Sequence, residues 1–263
     1  MGPQVSDAIV GHHSRALQPG VGLGSGSMSD SRAMQRRSDL AAVPSPVARA
    51  ERVLFFGGSF DPPHTGHAGL PFEAARRWGG ADAWVVFVPA ARSPHKPTAP
   101  VPDRHRVEML RIGLRGQSRW WIWPQELADA PLNPGQPSYW ADTWSIARSV
   151  FAARDRAFLI GTDQALAMHR WHRYDEFWRD ALVMRRGDQS ESGFRDAMAA
   201  TGAWSDADIA HWMSRLIETP TVNASSTAIR AALADPAQRK TPIEGLDRGV
   251  QKYILDRGLY AIA

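Results

Sequence analysis

The chain has 263 residues, of which 43% are hydrophobic, so it can bury the core of one α/β-sized domain, whereas two full domains would be cramped. It contains no cysteine, which excludes disulfides and thiolate metal sites, and no apolar run approaches the about 18 residues that a membrane span needs. The formal net charge of +4 suits anionic ligands, and its scattered basic residues disfavour a nucleic-acid footprint. We therefore expect a cytoplasmic protein that binds neither membranes nor nucleic acids.

The first part of the chain differs in composition from the rest. Residues 1–50 are rich in Gly, Ser, Ala, Pro and Arg and show no sustained periodicity, so they bury too little surface to offset the entropy of ordering. We expect a disordered extension there, within which Met28 and Met34 are alternative starts. The folded domain is predicted over residues 51–263.

From Arg52 onward, short apolar runs alternate with segments of helical periodicity. Strands are predicted over residues 53–56, 84–88, 120–123, 157–160, 182–185 and 216–219. Helices are predicted over residues 66–78, 103–114, 138–152, 226–233 and 246–257. This alternation indicates an α/β fold with a Rossmann-like, doubly wound, mostly parallel sheet, whose ligand lies beyond the carboxyl ends of the strands.

One segment stands apart from this alternation. Residues 187–212 show a less regular pattern, and we interpret them as an insertion within the domain. The sequence leaves open whether this segment is a lid, an oligomer contact or padding. It likewise leaves open the oligomeric state, including a homo-oligomer.

Residues 57–67 read GGSFDPPHTGH and predict a phosphate site. Gly57 and Gly58 allow a ligand to approach the main chain closely, and the following helix directs N–H groups and a partial positive charge at the loop. His64 and His67 lie about one turn apart on one helix face, so both reach the same phosphate. Transfer between two phosphates needs positioning and charge stabilisation, which histidine donors supply. A zinc pair is the rival interpretation, but it lacks a nearby third ligand.

A second phosphate site is predicted at residues 225–230. Ser225, Ser226 and Thr227 are typical of a helix N-cap, whose hydroxyl and N–H groups bind a phosphate. Arg230, one turn later, supplies a cation. The alternative is a plain capped helix with an arginine in solvent.

The first run resembles the phosphate-binding signature of the HxGH nucleotidyltransferase superfamily, and its form is similar to bacterial nicotinate-mononucleotide adenylyltransferases. The run SSTAIR at residues 225–230 is similar to the family's ISSTxIR, with Ala224 where isoleucine is usual. The likeness extends over most of residues 52–260. It implies the nucleotidylyl transferase fold and the transfer of an adenylyl group from ATP to nicotinate mononucleotide in NAD biosynthesis, with Mg²⁺ accompanying ATP.

The resemblance also implies roles for individual residues. The catalytic set is His64, His67, Lys96 and Arg230. The ATP-binding set is Gly57, Gly58, Ser59, Phe60, His64, His67, Asp163, Ser226, Thr227 and Arg230. The set that binds the pyridine nucleotide is Lys96, Tyr139, Trp140, Asp142, Thr143 and Trp171. No metal ligand of the protein itself is implied.

Several of these roles have plainer alternatives. Lys96 is equally typical of a solvated loop, Asp163 of a helix cap, and Trp171 of a core. The sequence also departs from the family, which usually reads PSYTVDT, by placing Trp140-Ala141 where Thr-Val is expected. Because this segment borders the pyridine pocket in the family, the choice between nicotinate and nicotinamide stays open.

Other functional hypotheses remain at this point. A transferase acting on phosphopantetheine is disfavoured, because such enzymes usually lack the histidine that corresponds to His64. A nucleotide-binding regulatory module without catalytic activity is disfavoured by the intact residues of both phosphate sites. A basic nucleic-acid binder would show strongly salt-dependent binding to oligonucleotides.

Overall fold

A computed structural model describes residues 43–92, 101–185 and 190–261. Six strands form one parallel sheet in the order β3-β2-β1-β4-β5-β6. They are β1 (Arg52–Gly58), β2 (Trp84–Pro89), β3 (Trp120–Ile122), β4 (Asp155–Gly161), β5 (Ala181–Arg185) and β6 (Leu216–Glu218). The order reverses between β1 and β4, so the carboxyl ends of these two strands flank the crevice where such sheets bind ligands.

Ten α-helices are present in the described ranges. They are α1 (Ser45–Ala48), α2 (Thr65–Gly79), α3 (Asp103–Gly113), α4 (Gln125–Asp129), α5 (Trp140–Val150), α6 (Thr162–Ala167), α7 (Glu191–Ala200), α8 (Asp206–Ser214), α9 (Ser226–Ala234) and α10 (Arg248–Asp256). Short 3₁₀ helices cover Ala130–Leu132, Met168–Arg170, Tyr174–Glu176 and Trp178–Asp180. No helix in these ranges has the length and apolarity needed to cross a membrane.

Side chains of each central strand alternate between two cores, one on each face of the sheet. In β1, Val53 and Phe55 face a core built with α5, α6, α7 and α8, whereas Leu54 and Phe56 face a core built with α2 and α3. A third cluster packs α9 and α10 against α3. The predicted doubly wound α/β fold is therefore confirmed, and the third cluster places α9 beside the loop that follows β1.

The structure differs from the sequence-based expectation at residues 43–50. Helix α1 lies here, and Val47 is 1% exposed within the core of the α5 face. Residues 43–50 therefore belong to the folded unit and not to the expected disordered extension, because Val47 and Ala50 are buried in this core and Val43 packs against it. Residues 1–42 lie outside the described residues.

The segment 187–212 is also more regular than expected. Ser190 and Ser205 cap α7 and α8 by accepting hydrogen bonds from the backbone N–H groups of Gly193 and Asp208. Four side chains at helical spacing are buried in the core of the α5 face: Phe194, Met198, Ile209 and Trp212. The described part of this segment is thus a packed helical pair.

Candidate active site

A cavity of about 580 Å³ opens at the carboxyl ends of β1, β2 and β4. It therefore lies at the reversal of strand order, where the sheet topology predicts a ligand. Eight residues of the predicted sites line it: Gly57, Gly58, Ser59, His67, Tyr139, Trp140, Asp163 and Trp171. The cavity thus joins residues from the proposed ATP set and the proposed pyridine set in one space.

The two histidines of the first motif lie against each other at the start of α2. Their ring centroids are 3.7 Å apart and their planes differ by 24°. The backbone N–H of His64 donates to Nδ1 of His67 over 3.3 Å. Because Nδ1 is an acceptor in this bond, the proton of the neutral His67 ring resides on Nε2, which can donate to a phosphate. The ring of His67 lines the cavity.

Two glycines permit close packing around this motif. A Cβ on Gly57 would lie 3.1 Å from Cζ3 of Trp140, and a Cβ on Gly66 would lie 3.0 Å from Cε1 of His64. Both distances are shorter than ordinary carbon contacts. A side chain at either position would therefore displace a ring of the proposed site.

A buried arginine of α3 hydrogen-bonds the backbone of the loop after β1. Arg106 of α3 is 0% exposed, and its Nη1 donates to the carbonyl oxygen of Ser59 over 2.7 Å. Its Nη2 donates to Asp103 over 2.5 Å, which pairs the buried charge. Sequence reasoning assigned no role to Arg106, although its spacing from Asp103 is that of a helical ion pair.

The second motif is in direct contact with the first. Ser226 Oγ donates to the carbonyl oxygen of Pro62 over 2.9 Å, and Nη1 of Arg230 donates to that of Asp61 over 2.7 Å. Nη2 of Arg230 also reaches Thr227 Oγ1 at 3.2 Å. The N-terminus of α9 therefore borders the loop that the first motif forms, although Arg230 follows Asp61 by 169 positions in the sequence.

The same loop is bound by the C-terminal part of the described chain. The hydroxyl of Tyr260 donates to Oδ1 of Asp61 over 2.6 Å. Burial, and then the hydrogen bond to the carboxylate, hold the pKa of Tyr260 well above its usual value, so the phenol stays a donor. Sequence reasoning did not identify this contact.

Sequence reasoning also missed Glu126, a buried carboxyl group in the cavity wall. This residue of α4 is 8% exposed and accepts a hydrogen bond from Thr143 Oγ1 over 2.9 Å. Burial raises its pKa to about 7, against the opposing effect of hydrogen bonds from Thr143, the backbone of Ala91 and the side chain of Ser138. Nothing in the sequence around Glu126 distinguishes it from a surface glutamate.

Comparison with known proteins identifies the family. A family model described as cytidylyltransferase-like matches residues 55–232, a span that contains both motifs. A Neisseria gonorrhoeae protein named "probable nicotinate-nucleotide adenylyltransferase" is 30% identical over 217 residues, which cover 80% of this chain and 98% of the relative. The chain belongs to the nicotinate-nucleotide adenylyltransferase family. A Klebsiella pneumoniae protein with the same name is 30% identical over 220 residues, covering 78% and 95% of the two chains.

Solved structures share the fold of this adenylyltransferase family member. A Plasmodium falciparum nicotinic acid mononucleotide adenylyltransferase complexed with APC matches with a TM-score of 0.56 at 15% identity, covering 80% of this chain and 97% of that one. The same enzyme complexed with NaAD gives a TM-score of 0.55 at 16% identity. The family and fold that the two motifs predicted are therefore confirmed.

Several residues that the resemblance assigned to ligand binding do not line the cavity, among them Asp142, Thr143 and Phe60. Asp142 is exposed and paired with Nη1 of Arg173 at 2.9 Å, whereas Thr143 is buried and bonded to Glu126. Phe60 is 1% exposed and packs edge-on against the His67 ring, so it supports the loop from the core side. Lys96 lies outside the described residues.

The described residues also bear on metal binding. Within residues 43–92, 101–185 and 190–261, no group of three or more His, Asp or Glu side chains is arranged to hold a metal ion.

Proposed function

We propose that the chain transfers the adenylyl group of Mg²⁺-bound ATP to nicotinate mononucleotide, which yields nicotinate adenine dinucleotide and pyrophosphate. One observation carries this proposal: the two phosphate-binding motifs contact each other through Ser226 and Arg230, beside a cavity lined by His67. The names of the relatives specify the same reaction, and one neighbouring structure contains NaAD.

The proposed reaction is a direct displacement at the α-phosphorus of ATP. An oxygen of the acceptor phosphate forms the new P–O bond, while the bond to the bridging oxygen of the β-phosphate breaks and pyrophosphate leaves with the electron pair. Nucleophile and leaving group are both ionised, so no proton shuttle and no covalent enzyme intermediate are needed. Mg²⁺ that enters with ATP neutralises charge on the departing phosphates.

The protein's part in this reaction is positioning and charge stabilisation. Nε2 of His67, whose ring lines the cavity, is the proposed main donor, and His64 and Arg230 are proposed as further donors: the His64 ring stacks on that of His67, and Arg230 binds the same loop at Asp61. Lys96 is proposed as a phosphate contact on the family resemblance. Asp163 at the cavity edge and the Trp171 ring are proposed for adenosine and the pyridine ring respectively.

Pyrophosphate release with ATP and Mg²⁺ tests the reaction. Nicotinate mononucleotide, nicotinamide mononucleotide and phosphopantetheine are compared as acceptors at equal concentration, and we expect the nicotinate form to give the highest kcat/KM. A preference for the nicotinamide form would assign the Trp140 substitution a role in ring selection. Absence of pyrophosphate with nicotinate mononucleotide would refute the proposal.

A substitution of His67 tests the role of the histidine motif. His67→Ala should lower kcat by about 100-fold or more, since one good donor to a developing charge is worth that much. His211→Ala is the matched control, because a ring nitrogen of this α8 histidine hydrogen-bonds the backbone oxygen of Arg179 over 3.0 Å and the residue does not line the cavity. Near-normal turnover of His67→Ala would show that the assigned role is wrong.

A further inference from the structure

The buried carboxyl group of Glu126 lies where three segments of the cavity wall meet. Helix α4 begins two residues after Trp123, so Glu126 stands at the carboxyl edge of the sheet beside β3. It lines the cavity together with Ser138, Tyr139 and Trp140. These neighbours precede or begin α5, and two of them, Tyr139 and Trp140, bring aromatic rings to the cavity.

Three donors from separate places converge on this carboxyl group. Thr143 Oγ1 of α5 donates to Oε1 over 2.9 Å, and the Ser138 side chain and the backbone of Ala91 lower the pKa of the carboxyl group as hydrogen-bonding neighbours. Ala91 belongs to the loop after β2, which is also joined to the same segment by the bond from Ser138 N–H to the carbonyl oxygen of Arg92, 3.1 Å. Glu126 therefore links the loop after β2 to the start of α5.

The charge of the substrate argues against direct contact. The proposed acceptor carries a ring carboxylate and a phosphate, and a buried carboxylate facing either group would repel it in this low-dielectric wall. The oxygens of Glu126 are instead engaged by protein donors. Its effect on the acceptor must therefore pass through the residues that it holds.

We propose that Glu126 is a positioning residue for the acceptor: its hydrogen bonds fix the segment 138–140, so that Tyr139 and Trp140 meet the pyridine nucleotide in one arrangement. This inference rests on the proposed function. Flat aromatic side chains bind a planar heteroaromatic ring well only when their own orientation is fixed in advance. Loss of the Glu126 contacts releases this wall, whereas the hydrogen bonds that hold the loop of the histidine motif come from Arg106, Ser226 and Arg230 and do not involve Glu126.

Equilibrium binding and steady-state kinetics of Glu126→Gln test the proposal. Glutamine keeps the shape of the side chain but replaces one accepting oxygen by a donor, so a hydrogen bond that ends on that oxygen is lost. We expect Kd and KM for nicotinate mononucleotide to rise about tenfold, as the loss of one buried hydrogen bond implies, with Kd and KM for ATP within about twofold of wild type. Glu244→Gln, an exposed glutamate, is the matched control.

A second pair of variants covers the case in which Glu126→Gln folds poorly. Thr143→Val removes the donor hydroxyl and keeps the side-chain shape, so it should raise the acceptor Kd in the same way. Thr143→Ser keeps the hydroxyl and should recover most of that loss. Combined with Glu126→Gln, Thr143→Val should add less than its separate effect, because both changes break one hydrogen bond.

The outcomes separate this proposal from the proposed function. Unchanged acceptor Kd in both Glu126→Gln and Thr143→Val, or an equal rise for ATP, would overturn the positioning role. Wild-type protein that fails to bind nicotinate mononucleotide would overturn it as well. Wild-type protein that binds this acceptor but releases no pyrophosphate would refute the proposed function and leave the positioning role to be decided by the Kd values.

Discussion

The ionisation of Glu126 should make the free energy of unfolding depend measurably on pH. Burial raises its folded-state pKa from 4.5 to about 7, so the folded protein binds this proton more tightly than the unfolded chain does. The associated stability is fully present below about pH 4.5 and is lost as the pH rises toward 7. At about 1.4 kcal/mol per pKa unit, the loss between pH 5 and pH 8 is about 2–3 kcal/mol.

Urea unfolding of wild type and Glu126→Gln between pH 5 and pH 8 measures this loss. Glutamine does not ionise, so the free energy of unfolding of the variant, relative to wild type, should increase by about 2–3 kcal/mol over this range. Other titrating groups are common to both proteins and cancel in the difference. Exposed Glu244→Gln should differ from wild type by less than about 0.5 kcal/mol throughout. A Glu126→Gln difference that does not vary with pH would show that burial does not govern this carboxyl group.

Three further substitutions test other contacts. Tyr260→Phe removes the hydrogen bond to the loop after β1 and should lower the free energy of unfolding by about 2 kcal/mol, measured in urea; an unchanged value would disprove the contact. Phe194→Ala should cost about 3–5 kcal/mol in the same assay, whereas a padding role for α7 predicts almost no change. Gly57→Ala, whose Cβ meets an indole ring at 3.1 Å, should raise the acceptor KM, while Gly69→Ala, with open space around its Cβ, should not.

Much of the fold follows from patterns that are local in sequence. The strand predicted over residues 53–56 is β1 (Arg52–Gly58), and the helix predicted over residues 66–78 is α2 (Thr65–Gly79). Both predictions succeeded because a strand buried on two faces reads as a continuous apolar run, and a helix ending in glycines carries its own stop signal. Helices α7 and α8 were not predicted, although their serine caps and the helical spacing of Phe194 with Met198 and of Ile209 with Trp212 are local signals.

The candidate site was predictable only where motif and chemistry coincide. The motif GGSFDPPHTGH identified Gly57 and His67 from the residues themselves, and both line the cavity. The placement of Ser226 against Pro62 depends on how α9 packs on α3, a contact distant in sequence that no local pattern contains. Glu126 could not be found at all, since a single glutamate on a short helix gives no periodic signal.

The hydrogen bonds around the loop after β1 explain why this motif suits an anion. The carbonyl oxygens of Ser59, Asp61 and Pro62 are bound by donors from α3 and α9, at distances from 2.7 to 2.9 Å. An engaged carbonyl oxygen does not turn toward a bound phosphate, where it would repel negative charge. Because these donors also fix the loop before the ligand arrives, charge that develops during phosphoryl transfer meets a site that needs little reorganisation. In the proposed reaction, helices that are distant in sequence would therefore contribute by holding the carbonyl oxygens of the loop away from the phosphates.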